Sequence, residues 1–320
     1  MKILSFNTYL APTMPDRFVR KKKILNKIQK WMNDGVDVIC LQEMNDFTLG
    51  LFGYIYYKYK LYKYCSVFLQ RFFDLFFVIE GIIFPFFLYD NTKELKIKID
   101  LFNLYSDKKY YFIKSEQSKR GVSGGLVVIT TLKPISNKTY YLNTDCIHSP
   151  NLLYTTLQDL KEDKVYTVLN VHLVPNLENH TILYKSVNFI NYLNNINIYD
   201  IQKTNIEQLR HIIFENIKNK NDMKKDIIVC GDFNIKKNKQ IELYNYLVKN
   251  ISIIGLEDNI KITSQNYICT EHFVGKEDGE NDCEVDQIDY IFSNIKPVSF
   301  DRLFDCFYLS DHYPVVSEFN

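Results

Sequence analysis

Eight side chains able to hold a cation or move a proton stand at the ends of hydrophobic runs: Asn7, Glu43, His172, Asp232, Asn234, Asp289, Asp311 and His312. The stretch from Asp226 to Asn234 shows the pattern best. Its apolar run Ile227, Ile228, Val229 and Cys230 reads as a short buried strand. Gly231 then permits a tight turn, and Asp232 and Asn234 project from the strand's end toward one side. Polar groups at the mouth of a buried strand are costly unless paired, so they often mark a site. Singly, each has a plain reading: Glu43 as a turn carboxylate, His172 as a hydrogen-bonded core histidine, Gly-Asp-Phe-Asn as an Asx turn. Together they resemble a site built on one rim of a sheet core.

The chemistry these residue types imply is phosphoryl-ester hydrolysis. Oxygen ligands without cysteine suit Mg²⁺ or Mn²⁺, which bind through one or two carboxylates plus substrate phosphate. Such an ion polarises a phosphoryl oxygen and stabilises the leaving oxygen. A histidine oriented by a carboxylate can act as general base toward water. A second histidine can neutralise charge on the phosphoryl oxygens.

Strands and helices must carry these groups to one place. Lys2 to Asn7 alternates and reads as a first strand. Asp16 to Asp34 reads as a helix capped by Asp16, striped by Ile24, Leu25, Ile28, Trp31 and Met32, and stopped by Gly35. Val36 to Leu41 is a second buried strand leading to Gln42 and Glu43, which completes a βαβ unit. Further strands are expected over Leu126 to Thr131 after Ser123, Gly124 and Gly125, over Val165 to Val171, over Gln287 to Phe292, and over Tyr313 to Phe319. Thr204 and Glu207 are spaced as a capping box for a helix striped by Ile206, Leu209, Ile213 and Ile217. Ile241 to Val248 is a further helix, Lys236 to Lys239 a solvated basic run, and Glu277 to Asp286 an acidic loop.

The chain is 320 residues with a net charge of +1, so no basic surplus advertises tight nonspecific binding to a polyanion. Seven scattered cysteines, without a Cys-x-x-Cys pair, suggest neither a disulfide framework nor structural zinc, and fit a reducing compartment. No signal peptide is read at the start, because Met1 to Phe6 is too short for an h-region. An intracellular location, cytoplasmic or membrane-associated, is expected. A single domain over 1–320 is expected, with a hydrophobic insertion around 50–115 and a cover excursion around 175–203. Val67 to Tyr89 is nearly continuous Phe, Leu, Ile and Val, interrupted by Arg71, Asp74, Glu80 and Pro85. Those interruptions weigh against a spanning helix. An insertion packed on the domain and a segment lying on a membrane surface both remain open.

In order, Phe6-Asn7-Thr8, Leu41-Gln42-Glu43, Val171-His172-Leu173, Gly231-Asp232-Phe233-Asn234, Ile288-Asp289-Tyr290 and Ser310-Asp311-His312 resemble the endonuclease/exonuclease/phosphatase superfamily. DNase-I-like nucleases, apurinic endonucleases, neutral sphingomyelinases and inositol-polyphosphate 5-phosphatases are members. The resemblance implies a four-layer α/β sandwich, two mixed sheets face to face with helices outside. It implies Glu43 as principal metal ligand with Asn7 beside it, and Asp311 supporting the metal or its waters. Asp232 would orient or activate the attacking water, and Asn234 would hold a phosphate oxygen. His312 would be general base, oriented by Asp289, and His172 would contact the scissile phosphate. Within the superfamily the base is assigned either to the histidine or to the aspartate at 232.

Among the branches, His172, the glycine-rich lead into Leu126 and the nearby aromatic insertion look most like the neutral sphingomyelinases. The expectation is a Mg²⁺-dependent phosphodiesterase, or one using Mn²⁺, with a phospholipid favoured over nucleic acid and peripheral membrane contact through 67–89. The alternatives are a DNase-like or apurinic-type endonuclease, an inositol-phosphate phosphatase and a catalytically silent binding module.

Overall fold

The computed structural model describes residues 1–10, 17–44, 47–49, 51–59, 72–73, 76, 87–89, 92–116, 125–142, 151–174, 198–218, 226–259, 287–303 and 309–320. In chain order the strands are β1 (Lys2–Asn7), β2 (Val38–Gln42), β3 (Phe47–Leu49), β4 (Phe87–Tyr89), β5 (Tyr111–Lys114), β6 (Val127–Thr130) and β7 (Lys133–Tyr141). They continue with β8 (Asn151–Asp159), β9 (Lys164–His172), β10 (Asp226–Asp232), β11 (Glu257–Asp258), β12 (Asp289–Ser293), β13 (Pro297–Arg302) and β14 (Val315–Phe319). The helices are α1 (Arg17–Asn33), α2 (Leu51–Lys58), α3 (Lys93–Tyr105), α4 (Ile198–Lys218) and α5 (Ile241–Ser252).

Strands that are apolar on both faces need cover on both faces, and two sheets stacked between helices provide it. The first sheet runs β13-β14-β1-β2-β6-β5 and the second β11-β12-β10-β9-β8-β7. Each is mixed: β1 pairs parallel with β2, β9 parallel with β10, and their other neighbours are antiparallel. Between the sheets lies a core of Ile3, Val38, Cys40, Val168, Ile228, Cys230 and Ile291. Outside the first sheet, Leu4, Phe6, Ile39 and Leu41 pack against Ile24, Ile28 and Trp31 of α1 and Leu95 and Ile99 of α3. Outside the second, Leu169, Val171, Val229 and Phe292 pack against Ile206 and Leu209 of α4 and Leu243 and Leu247 of α5. The four layers are those expected.

Gly231 is the tightest point. Its φ is +146°, and a Cβ there would lie 1.9 Å from the Val171 carbonyl oxygen. Only glycine lets β10 run this close to β9 just before Asp232.

Several boundaries differ from the reading of the sequence. Thr204 does not cap a helix: α4 begins at Ile198, and the Thr204 hydroxyl donates to the Asp200 carbonyl oxygen one turn back. That bond is the alternative such a hydroxyl has inside a helix. The β7–β8 hairpin was not foreseen, because β7 is mostly exposed and lacks an apolar rhythm. Within the stretch 50–115, α3 packs on the first sheet and β5 is its edge strand. Asp16, Ser123, Gly124, 175–197, the loop Glu277 to Asp286 and most of 67–89 lie outside the described residues. Among the described residues, no helix is long and apolar enough to cross a membrane.

Candidate active site

Strand direction decides which ends meet. β1, β2, β9 and β10 run one way and finish on the same rim, while β12 and β14 run the other way and start there. The C-terminal ends of the first group therefore share an edge with the N-terminal ends of the second. Alternation does the rest. Along each inward face the side chains pass from apolar to polar as the rim approaches. In β1 these are Ile3, Ser5 and Asn7; in β9, Val168, Asn170 and His172; in β10, Ile228, Cys230 and Asp232.

One layer below the rim, Gln42 Nε2 donates to Asn170 Oδ1 (2.7 Å) and to Ser5 Oγ (3.1 Å). Asn170 Nδ2 returns to the carbonyl oxygens of Leu41 (2.9 Å) and Val127 (3.0 Å). The bonds of Asn170 cross from one sheet to the other, and the group forms a buried polar floor.

Above this floor Asn7 Nδ2 donates to Glu43 Oε1 (3.1 Å) and Asp232 Oδ2 (2.8 Å). The Tyr9 backbone N–H donates to Asn7 Oδ1 (3.0 Å), which fixes the amide's sense. Asn7 thus faces the carboxylates with its donor side and holds them together. His172 Nε2 lies 3.7 Å from both Glu43 Oε1 and Asp232 Oδ2. His312 Nδ1 donates to Asp289 Oδ2 (2.8 Å), so its Nε2 is turned toward Asp232 and Asp311, 3.7 Å from an oxygen of each. The Asn234 backbone N–H donates to Asp232 Oδ1 (2.8 Å), and its Nδ2 donates to the Leu173 carbonyl oxygen (2.9 Å). All eight residues singled out in the sequence stand in this one cluster.

The backbone is bent to place them. Tyr9, Glu43 and Asn234 all have φ between +51° and +57°, a conformation that costs non-glycine residues energy. Three such residues around one cleft indicate that the surrounding fold dictates their conformation.

Four carboxylates, Glu43, Asp232, Asp289 and Asp311, face two imidazoles, and the electrostatics show the crowding. Burial pushes Asp232 up to about 6, against the pull of His312 and His172. Burial likewise pushes Asp311 up to about 7, with Glu43 adding to it and His312 and Arg20 opposing. The Asp311 side chain keeps 26% of its surface exposed, so water at the cleft offsets part of that push. For His312, burial disfavours the charged ring, yet the carboxylates of Asp289, Asp232 and Asp311 outweigh it and hold the proton well above the usual histidine range.

This arrangement fits a divalent cation. Glu43, His172 and Asp232 bring one ligand atom each within 4.8 Å of one another, as do Asp232, Asp289 and His312. The surplus of carboxylates is the charge a cation would balance. Glu43, Asp232 and Asp311 carry the oxygens that would hold it, with Asn7 fixing two of them.

Three supporting residues were not foreseen. Ser310 Oγ donates to the Asn7 carbonyl oxygen (2.6 Å) and accepts the His312 backbone N–H (3.2 Å), tying the last loop to β1. Arg20 is buried and donates to the carbonyl oxygens of Thr8, Tyr9 and Leu309, which clamps both loops to α1. Asn151, at the start of β8, pairs in register with His172.

By sequence, no protein-family profile and no curated protein matches this chain. By structure, several solved proteins do. An endonuclease/exonuclease/phosphatase family protein from Leptotrichia buccalis superposes with a TM-score of 0.60 at 18% identity, covering 100% of this chain and 99% of its own. A mannosyl-6-phosphatase from Bacteroides thetaiotaomicron gives 0.57 at 12% identity, covering 100% and 99%. TDP2 from D. rerio, complexed with a single-strand DNA product, gives 0.54 at 13% identity, covering 100% and 98%. The chain has the endonuclease/exonuclease/phosphatase, or DNase-I-like, fold.

Proposed function

We propose that this chain is a divalent-metal-dependent phosphoric ester hydrolase, a phosphodiesterase of the sphingomyelinase type acting on a phospholipid with Mg²⁺ or Mn²⁺. The observation that carries the hydrolase reading is the meeting of Glu43, Asp232, Asp289, Asp311, His172 and His312 on one rim. The bound cation would polarise the phosphoryl oxygen and stabilise the leaving oxygen. The remaining work falls to side chains. Asp289 fixes the His312 ring so that Nε2 faces the cleft and takes a proton from the attacking water. Asp232, held by Asn7 and the Asn234 backbone, orients that water. His172 and the second N–H of Asn234 donate to phosphoryl oxygens.

The phospholipid preference rests on the helix that follows Glu43 in the chain. A few residues after Glu43, α2 presents Leu51, Phe52 and Ile55 to solvent, with Phe52 66% exposed, and Tyr59 just past its end, Phe72 and Phe76 are exposed as well. Only one residue of α2, Lys58, is charged. Uncharged aromatic surface of this kind suits the interfacial region of a membrane, where a lipid's phosphodiester lies.

The test is release of phosphocholine from sphingomyelin vesicles with Mg²⁺. Release that disappears in Glu43→Ala and His312→Ala supports the proposal. No release, beside brisk nicking of plasmid DNA, rejects the lipid substrate and selects the endonuclease reading. That second reading draws on the shared fold with TDP2, which was solved with a DNA product.

A further inference from the structure

The row of residues across the second sheet extends past the cluster described above. In register, Asp289 lies opposite Asp232, Asp232 beside His172, and His172 opposite Asn151. Residues in register on neighbouring strands project from the same face, roughly 5 Å apart. The packing of β8 confirms the direction. Leu153 and Leu157, of the same parity as Asn151, lie between the sheets, whereas Leu152 and Tyr154 face the helices. Asn151 is therefore the fourth polar side chain of the row, one strand beyond His172.

Its amide is unsatisfied, as is that of Asn205 in α4, but only Asn151 stands in the row of the site. Asn151 is fully buried, and neither its Nδ2 nor its Oδ1 has a hydrogen-bond partner. Apart from the site, the inward face of β8 is apolar or carries a hydroxyl, so leucine would pack there at less cost than an unbonded amide. A stability cost retained beside a catalytic row is expected where a ligand repays it.

We infer that Asn151 is a substrate-binding residue that donates through Nδ2 to a non-bridging phosphoryl oxygen beside His172. This rests on the proposed hydrolase reading. A neutral donor suits the position: it adds a hydrogen bond to the phosphoryl group without supplying another charge that must be balanced when the cleft is empty.

The experiment measures inorganic phosphate binding by calorimetry in the presence of Mg²⁺ or Mn²⁺, with turnover of bis(p-nitrophenyl) phosphate in parallel. Wild type, Asn151→Leu and Asn151→Ala are compared. Asn151→Leu is expected to unfold at or above the wild-type temperature, yet to bind phosphate about 10- to 100-fold more weakly, the loss of one hydrogen bond to a charged group. Equal phosphate affinity in all three proteins overturns the inference, as does a wild type that binds no phosphate at millimolar concentration. Phosphate binding that depends on Asn151 in a wild type silent toward every ester upholds the inference and rejects the hydrolase reading. Should both variants fail to fold, the wild-type Asn151 side-chain amide resonance decides: a shift on adding phosphate supports the inference, and no shift rejects it.

Discussion

At the scale of single residues, the cleft is a contest between burial and charge. His312 keeps its proton above pH 6.5 because three carboxylates outweigh its burial, with Asp289 the strongest of them. A base must shed that proton before it can accept another. The rate is therefore expected to climb with pH through a limb placed above 6.5. Asp289→Asn removes the strongest stabiliser of the charged ring, so the limb should move to lower pH while the maximum rate falls. A pH profile of kcat/KM on both proteins checks this; a wild-type limb near 6 would assign the base to Asp232 instead. The candidate site was legible in the sequence because each member stands at one end of a hydrophobic run. Its support was not. Arg20 lies in the stretch read as the first helix, off its apolar stripe, and only the fold shows it buried against three carbonyl oxygens. Asn151 belongs to no element read from the sequence, and only register sets it beside His172.

At the scale of elements, close backbone approach and helix ends make two predictions. Gly231→Ala sets a methyl group against the Val171 carbonyl oxygen, so β9 and β10 must separate just below the cleft. A loss of about 3 kcal/mol or more in urea unfolding is expected, with turnover falling even where the fold survives. The Tyr110 hydroxyl caps the end of α1 by bonding to the carbonyl oxygens of Met32 and Val36. Burial, with Asp37 adding to it, pushes that phenol up to about 12. The unfolded chain therefore loses this proton first, near pH 10. The stability it gives is complete below pH 10 and drains away between 10 and 12, by about 2 to 3 kcal/mol. Tyr110→Phe should cost about 1 kcal/mol at neutral pH and show a shallower alkaline decline in thermal unfolding. Elements with strong periodicity, such as α1 and β10, could be read from the chain. β7 could not, because an exposed edge strand buries too little to leave a pattern.

At the scale of the whole molecule, the two sheets are joined beneath the cleft by Gln42 and Asn170. Asn170→Leu leaves the Gln42 amide with Ser5 Oγ as its remaining acceptor and takes a donor from two buried carbonyl oxygens. A loss of about 3 kcal/mol is expected, seen as a lower urea midpoint with an unchanged slope. A change confined to turnover, with the midpoint unmoved, would mean that the apolar core alone holds the sheets. The position of β14 carries a further consequence. It inserts between β13 and β1, so β1 waits for a partner made far later in the chain, and His312 arrives just ahead of that strand. A ribosome-bound chain can assemble the second sheet while the first still has an open seam. The cluster on the rim is thus incomplete until β14 is in place, and a chain cut short before that strand would lack the imidazole that faces Asp232.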